Sequence, residues 1–201
     1  MRVSRAQAEE NRQTVINVAS RLFRERGFDG IGLKDLMENA GLTQGAFYKQ
    51  FASKEDLVAQ ASKRALESAF QRWLEIAEGN PQDPFSAIVA FYLSMEHCGE
   101  KMDGCPIVAL GSDAARQGAD VKASFETGIQ KYLELIDHWF PDADARRSSA
   151  KSMAVLSTMI GAVVLSRAVN DPGLSDRFLQ AAAESVRMAM SSGDKESEMR
   201  Q

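Results

Sequence analysis

Apolar side chains recur every three or four residues along nearly the whole chain, and no segment alternates with the period of two that a half-buried strand requires. Over residues 8–26, Val15, Val18, Ala19, Leu22 and Phe23 form one amphipathic stripe that Gly27 ends. Leu33, Leu36, Met37 and Ala40 make a short second pattern closed by Gly41, and Thr43 is placed to cap a third over 44–51. Ser53 followed by Asp56 opens a fourth helix, running to about residue 77, in the manner of a capping box with Asp in place of the usual Glu or Gln. The run GNPQDP at 79–84 is the strongest breaker. Beyond it the pattern predicts helices over 85–98, 106–115, 121–140, 143–169 and 174–190, the last three divided at Pro141 and Pro172. The expectation is an all-α chain of about nine helices. It comprises an N-terminal three-helix domain over 8–54, a connecting helix at 53–77, a larger helical body over 55–190 and a flexible tail over 191–201.

With 201 residues, 44% of them hydrophobic, such a chain can bury a real core without covalent staples. Its two cysteines, Cys98 and Cys105, make no disulfide framework, and the charged start of the chain does not read as an export signal. The chain is therefore expected in the cytoplasm. The most apolar run, 153–166, falls short of the roughly 20 residues a bilayer needs and reads as a buried helix. Net charge is −4 but uneven: through Lys54 nine basic residues face six acidic ones, a net of +3, leaving −7 for the rest. A basic end on an acidic body suits a polyanion, because phosphate attraction is local.

The segment AGLTQGAFYKQFASKEDL, residues 40–57, has no acid before Glu55. Two short helices with a glycine corner make a helix-turn-helix, whose second helix can enter a DNA major groove. Leu36, Ala40, Leu42 and Phe47 supply the apolar wedge, while Gly45 and Ala46 keep the leading edge of the second helix low. Thr43 and Gln44 stand at its start, where a hydroxyl and a carboxamide can reach base edges or phosphate. Tyr48, Lys49 and Lys54 face the phosphate strand, and Lys34 and Gln50 complete the candidate DNA contacts. On spacing alone the same pattern also describes an ordinary packing unit.

GLTQGAFYKQFASKEDL resembles the signature of TetR-family transcriptional repressors: glycine, an apolar and a hydroxyl residue, a small-residue helix with an aromatic–Tyr pair, Phe, Ser-Lys and an acidic-Leu ending. Upstream, VASRLFRERGFDGIGLKDLMENAGL extends the likeness to about residues 12–61, with Gln50 departing where many relatives carry His or Tyr. Further on it rests on helix count and on GCPIVALGSDAARQG, which is similar to a segment of some members. The resemblance implies a homodimer whose N-terminal helices bind a double-stranded, near-palindromic operator and whose body binds a small-molecule effector that releases it. No cofactor and no membrane enters that picture.

On that reading the last two helices form half of an intermolecular bundle through Ser157, Ile160, Gly161, Val164, Phe178, Ala182 and Val186; an internal core fits the pattern equally well. Candidate effector contacts are Phe85, Phe91, Tyr92, Met95, Cys98, Cys105, Phe125, Tyr132 and Trp139. The spacing of His97, Cys98 and Cys105 matches no zinc pattern, so no metal is expected and both cysteines are expected reduced and partly buried. Cys105, just before Pro106 at a helix start, is the candidate for a thiol sensor. Two histidines, no phosphate loop and a GFDGIG run that is not the dinucleotide fingerprint argue against an enzyme. A helical interaction module without DNA binding is the remaining alternative.

Overall fold

In the computed structural model, residues 4–139 and 145–198 are described, and all their regular structure is α-helical. The order is α1 (Arg5–Arg26), α2 (Leu33–Asn39), α3 (Gln44–Phe47), α4 (Lys54–Gly79), α5 (Pro84–Tyr92), α6 (Met95–Gly99), α7 (Pro106–Ala114), α8 (Ala119–Trp139), α9 (Ala145–Ala168) and α10 (Pro172–Glu198). Among the described residues ten helices stand where about nine were expected for the chain, because Ser94 interrupts the run predicted over 85–98. Its hydroxyl donates to the Phe91 carbonyl at 2.7 Å and accepts from the His97 N–H at 3.1 Å, ending α5 and capping α6 at one residue. The break expected at Pro141 lies outside the described residues. At the other end α10 runs on to Glu198 through much of the stretch expected to be a flexible tail. No proline stands in that stretch to stop the helix, although its apolar pattern has ended.

The chain divides into two compact units, and the division differs from a single cut near residue 54. One unit comprises residues up to Ala69 together with Lys101–Gly128; the other comprises Phe70–Glu100 together with Ile129 onward. Polar groups of the 101–113 segment bind the end of α1. Arg21 makes a two-pronged bond to Asp103 at 3.0 and 2.9 Å, and the buried Arg24 donates to the Gly104 carbonyl at 3.0 Å. The Phe28 N–H donates to Asp113 at 3.3 Å. Such pairs lie 80 or more residues apart in sequence, so no periodicity announces them. Val15, Ile16, Ala19, Leu22 and Phe23 of α1 bury against Phe28, Leu36, Met37 and Phe47 to make the first core. Gly128 permits close helix packing there: a Cβ would meet the Leu66 side chain at 2.8 Å.

In the second unit α9 packs on α10, burying Val155, Leu156, Met159 and Val163 on one helix and Leu179, Ala183 and Val186 on the other. Trp73, Tyr92 and Tyr132 form an edge-to-face cluster. Arg167 donates to the carbonyls of His97, Cys98 and Glu100 and so satisfies the open end of α6. Glu100 in turn takes a two-pronged bond from Arg72, at 2.6 and 2.9 Å.

Ser148–Ala168 is 21 residues long and apolar enough to cross a membrane by length and composition, longer than the 153–166 run suggested. It is only partly the buried helix expected, since 33% of its most apolar 18-residue stretch is buried within the chain. Its outward face carries Met153, Ala154, Ser157, Val164 and Leu165.

Candidate nucleic-acid interface

The corner between α2 and α3 is built by Gly41 at φ 71°, in the left-handed region where a Cβ would be strained. The Gly41 N–H donates to the Glu38 carbonyl at 3.0 Å and the Leu42 N–H to Met37 at 2.9 Å, the paired bonds of a Schellman termination. This local geometry turns the chain sharply into α3. Thr43 precedes α3 in extended conformation, but its side chain makes no capping bond, unlike the expected cap. The hydroxyl thus remains available to an outside partner. α3 is also shorter than the 44–51 pattern. After Phe47 the chain tightens into bonds from Lys49 to Ala46 and from Gln50 to Phe47, spacing of three rather than four residues.

Phe47 is fully buried, edge-on to Tyr48 and stacked on Phe51 at 5.3 Å, and fixes α3 to the unit. Around that anchor Thr43, Gln44, Gly45, Tyr48 and Lys49 are exposed, Tyr48 by 70%, while Ala46 is half-buried. A Cβ on Gly45 would meet nothing within 4 Å, so the chain's own packing does not require glycine there. Among the described residues the Lys49 ammonium makes no hydrogen bond or ion pair. Lys34, likewise exposed, lies 3.8 Å from Glu38.

Two expected contacts differ in surroundings. Gln50 is half-buried, with its Oε1 buried and without a hydrogen-bond partner. Lys54 is also half-buried and donates to the Ile31 carbonyl at 3.2 Å, so its ammonium holds the loop ahead of α2 and has two protons left for another partner. The Ser53–Asp56 box forms as expected, the Asp56 N–H donating to Ser53 Oγ at 3.0 Å. The carboxylate reaches one residue further back, to the Ala52 N–H at 3.0 Å. Arg12 of α1, which the sequence did not single out, donates to the Gln50 carbonyl and to Gln60.

The expected effector contacts are shared between the two units. Cys105 and Phe125 belong to the first unit, the others to the second. Within the second, Phe85, Tyr92 and Tyr132 are buried, Phe91 and Trp139 half-buried and Met95 exposed. Both cysteines are buried and neither is in a disulfide; Cys98 Sγ lies 3.2 Å from Ser166 Oγ. His97, between Phe91 and Tyr92, is held below the ordinary imidazole pKa by burial, against the opposing pull of its bond to the Tyr92 carbonyl and of Glu100. A carbonyl only accepts, so Nδ1 carries the proton of the 2.8 Å bond. Among the residues expected at a dimer interface, Ser157 and Val164 are exposed and Ile160, Gly161 and Phe178 half-buried. Ala182 and Val186 are instead core residues of α10, because the helical period puts them on the face that carries Leu179 and Ala183.

Residues 15–61 match the family model described as bacterial regulatory proteins, tetR family. Along the chain, the HTH-type transcriptional regulator LmrA of Bacillus subtilis is 24% identical over 163 residues, 78% of this chain and 86% of that protein. The HTH-type transcriptional repressor NemR of Escherichia coli is 27% identical over 133 residues, 63% of this chain and 65% of that protein. In fold, the reduced form of E. coli NemR superposes with a TM-score of 0.73 at 21% identity, covering 90% of this chain and 97% of that one. A TetR-family regulator from Cytophaga hutchinsonii gives 0.75 at 17% identity, covering 93% and 97%. With the helix-turn-helix formed and its leading edge outward, residues 15–61 form the DNA-binding part described by the family of bacterial regulatory proteins, tetR family, and the chain as a whole shares the fold of TetR-family regulators.

Proposed function

We propose that this chain is a repressor that holds a near-palindromic operator as a homodimer and lets go when a small molecule binds its second unit. The observation that carries the DNA reading is the outer edge of α3. Hydrogen-bonding groups of Thr43 and Gln44, the bare backbone at Gly45 and the uncommitted ammonium of Lys49 share one exposed strip above a fully buried Phe47. Gln44 supplies a donor and an acceptor suited to adenine, and Lys49 supplies a point charge for a phosphate. One such strip reads only a few base pairs. Two copies about one helical turn apart, roughly 34–36 Å, read a palindrome. The apolar outward face of α9, with Met153, Val164 and Leu165 each at least 43% exposed, supports pairing of two copies.

Release requires only that the effector bind one arrangement of the dimer better than the other. A coupling of about 1–3 kcal/mol weakens operator binding roughly 5- to 150-fold.

Selection of bound duplexes from a random pool tests the proposal. A near-palindromic consensus is the expected result, with Gln44→Ala relaxing preference at one position of each half-site. Recovery of no consensus, with binding indifferent to salt, would leave a helical interaction module instead.

A further inference from the structure

We propose that Arg12 of α1 is a positioning residue for DNA recognition, setting the angle of α3 without touching the duplex; this rests on the α3 reading above. A four-residue helix has no stability of its own, and the turn that follows it is held only by short-range backbone bonds. Its direction must therefore come from what grips its two ends. Phe47 grips from within. At the exit, Arg12 Nε donates to the Gln50 carbonyl at 3.4 Å, and its guanidinium lies 5.2 Å from the centre of the Phe51 ring, itself stacked on Phe47.

The other prong of Arg12 runs to α4. Nη2 donates to Gln60 Oε1 at 2.6 Å, and Gln60 Nε2 donates to Asp56 Oδ1 at 2.6 Å. Asp56 Oδ2 accepts from the Ala52 N–H. The chain of bonds closes around residues 50–56: one guanidinium binds the carbonyl on the α3 side of the loop and, through Gln60 and Asp56, an amide on the α4 side. A planar fork does this and a lysine does not, since an ammonium offers one point rather than two divergent donors and a stacking face. Arg12 is half-buried and committed to these three partners, whereas the Lys49 ammonium has none, so the two cations divide the work of aiming and of neutralising phosphate.

Salt dependence separates these roles. The probe is the duplex recovered by selection with the unaltered protein, and log affinity is measured against log salt for the full chain and for Arg12→Ala, Arg12→Lys, Gln60→Ala and Lys49→Ala. Arg12→Ala is expected to weaken binding on the order of tenfold with the slope unchanged. Lys49→Ala is expected to reduce the slope by about 1.8, about 0.9 for the phosphate lost in each half-site of the dimer. Arg12→Lys should recover little of the loss, and Gln60→Ala should show a smaller loss of the same kind.

Amide hydrogen exchange supplies the readout that a general loss of stability would not move: Gln50 and Phe51 should exchange faster in Arg12→Ala while α1 and α4 keep their protection. A slope reduced in Arg12→Ala as in Lys49→Ala would make Arg12 a phosphate ligand and overturn the proposal, leaving the α3 reading intact. Unchanged affinity in Arg12→Ala would overturn it too. An unchanged slope in Lys49→Ala would count against the α3 reading instead. Should Arg12→Ala not fold, Arg12→Lys and Gln60→Ala decide by the same measurements, and native affinity in both would overturn the proposal.

Discussion

The strip along α3 and the outward face of α9 are both exposed, and their chemistry is opposite. Along α3 the exposed groups are a hydroxyl, a carboxamide, bare backbone, a phenol and an ammonium, all able to replace hydrogen bonds from water with hydrogen bonds to a partner. On α9 they are Met153, Ala154, Ser157, Val164 and Leu165, of which only Ser157 carries a polar group. Leaving that second face in water forfeits about 25 cal/mol for each Å² of apolar surface. A polar strip can wait in solvent for DNA; an apolar one is stable only when covered. The comparison teaches that exposure alone says little about a partner. What the exposed groups lose by staying hydrated says more.

The largest effect expected from breaking this comparison comes from Val164→Arg. A charge on the apolar face should turn the dimer into monomers in sedimentation, leave the monomer's fold intact and lower operator affinity by about 10²-fold or more, because each half-site is then bound alone. A variant that sediments as a dimer would remove α9 from the interface. Next in size is the split between two lysines. Lys49→Ala should lose salt slope with no change in the urea midpoint, whereas Lys54→Ala should also destabilise by about 1 kcal/mol through loss of its bond to Ile31. Equal urea midpoints for the two would show that the Lys54 bond contributes nothing.

His97 gives a pH-dependent contrast between the units. Its pKa is lowered in the fold, so between that value and the ordinary one of about 6.5 the unfolded chain binds more protons than the folded one. Stability should therefore fall as pH drops from above 6.5 through this window and level off below the folded pKa, and His97→Gln should flatten the dependence. The same slope in His97→Gln would assign it to other groups.

The smallest effect is the most discriminating. Gly45→Ala should raise thermal stability by about 0.5–1 kcal/mol, since a Cβ meets nothing in the chain, yet weaken DNA binding by blocking backbone approach. Tighter binding in that variant would show that the strip is not pressed against DNA.

The corner at Gly41 was legible because a left-handed residue, a glycine and the end of an apolar period coincide within a few positions. The break at Ser94 was not. Leu93 and Met95 continue an apolar run, and only the geometry of one hydroxyl, bonded both backwards and forwards, ends α5. The interface reading divided in the same way. Of the residues that the resemblance put at an interface, Val164 and Ser157 are exposed while Ala182 and Val186 are buried, because on a helix apolar on several sides the sequence does not say which side meets α9. Lys54 shows the limit for charges: a lysine near a presumed phosphate and a lysine bonded to a carbonyl read identically in sequence.

Local chemistry, then, was written in the chain itself: helices from a 3.6-residue period, their ends from glycine, proline and hydroxyl residues, and the family from a motif confined to about fifty consecutive positions. Tertiary structure alone decided which cations stayed available, joined Lys101–Gly128 to the N-terminal helices and placed Arg12 under the turn that follows α3. The physical reason is range. Backbone conformation is set by neighbours a few residues away, whereas a guanidinium finds its partners wherever folding brings a carbonyl or carboxylate within 3 Å or so, and sequence distance carries no trace of that meeting.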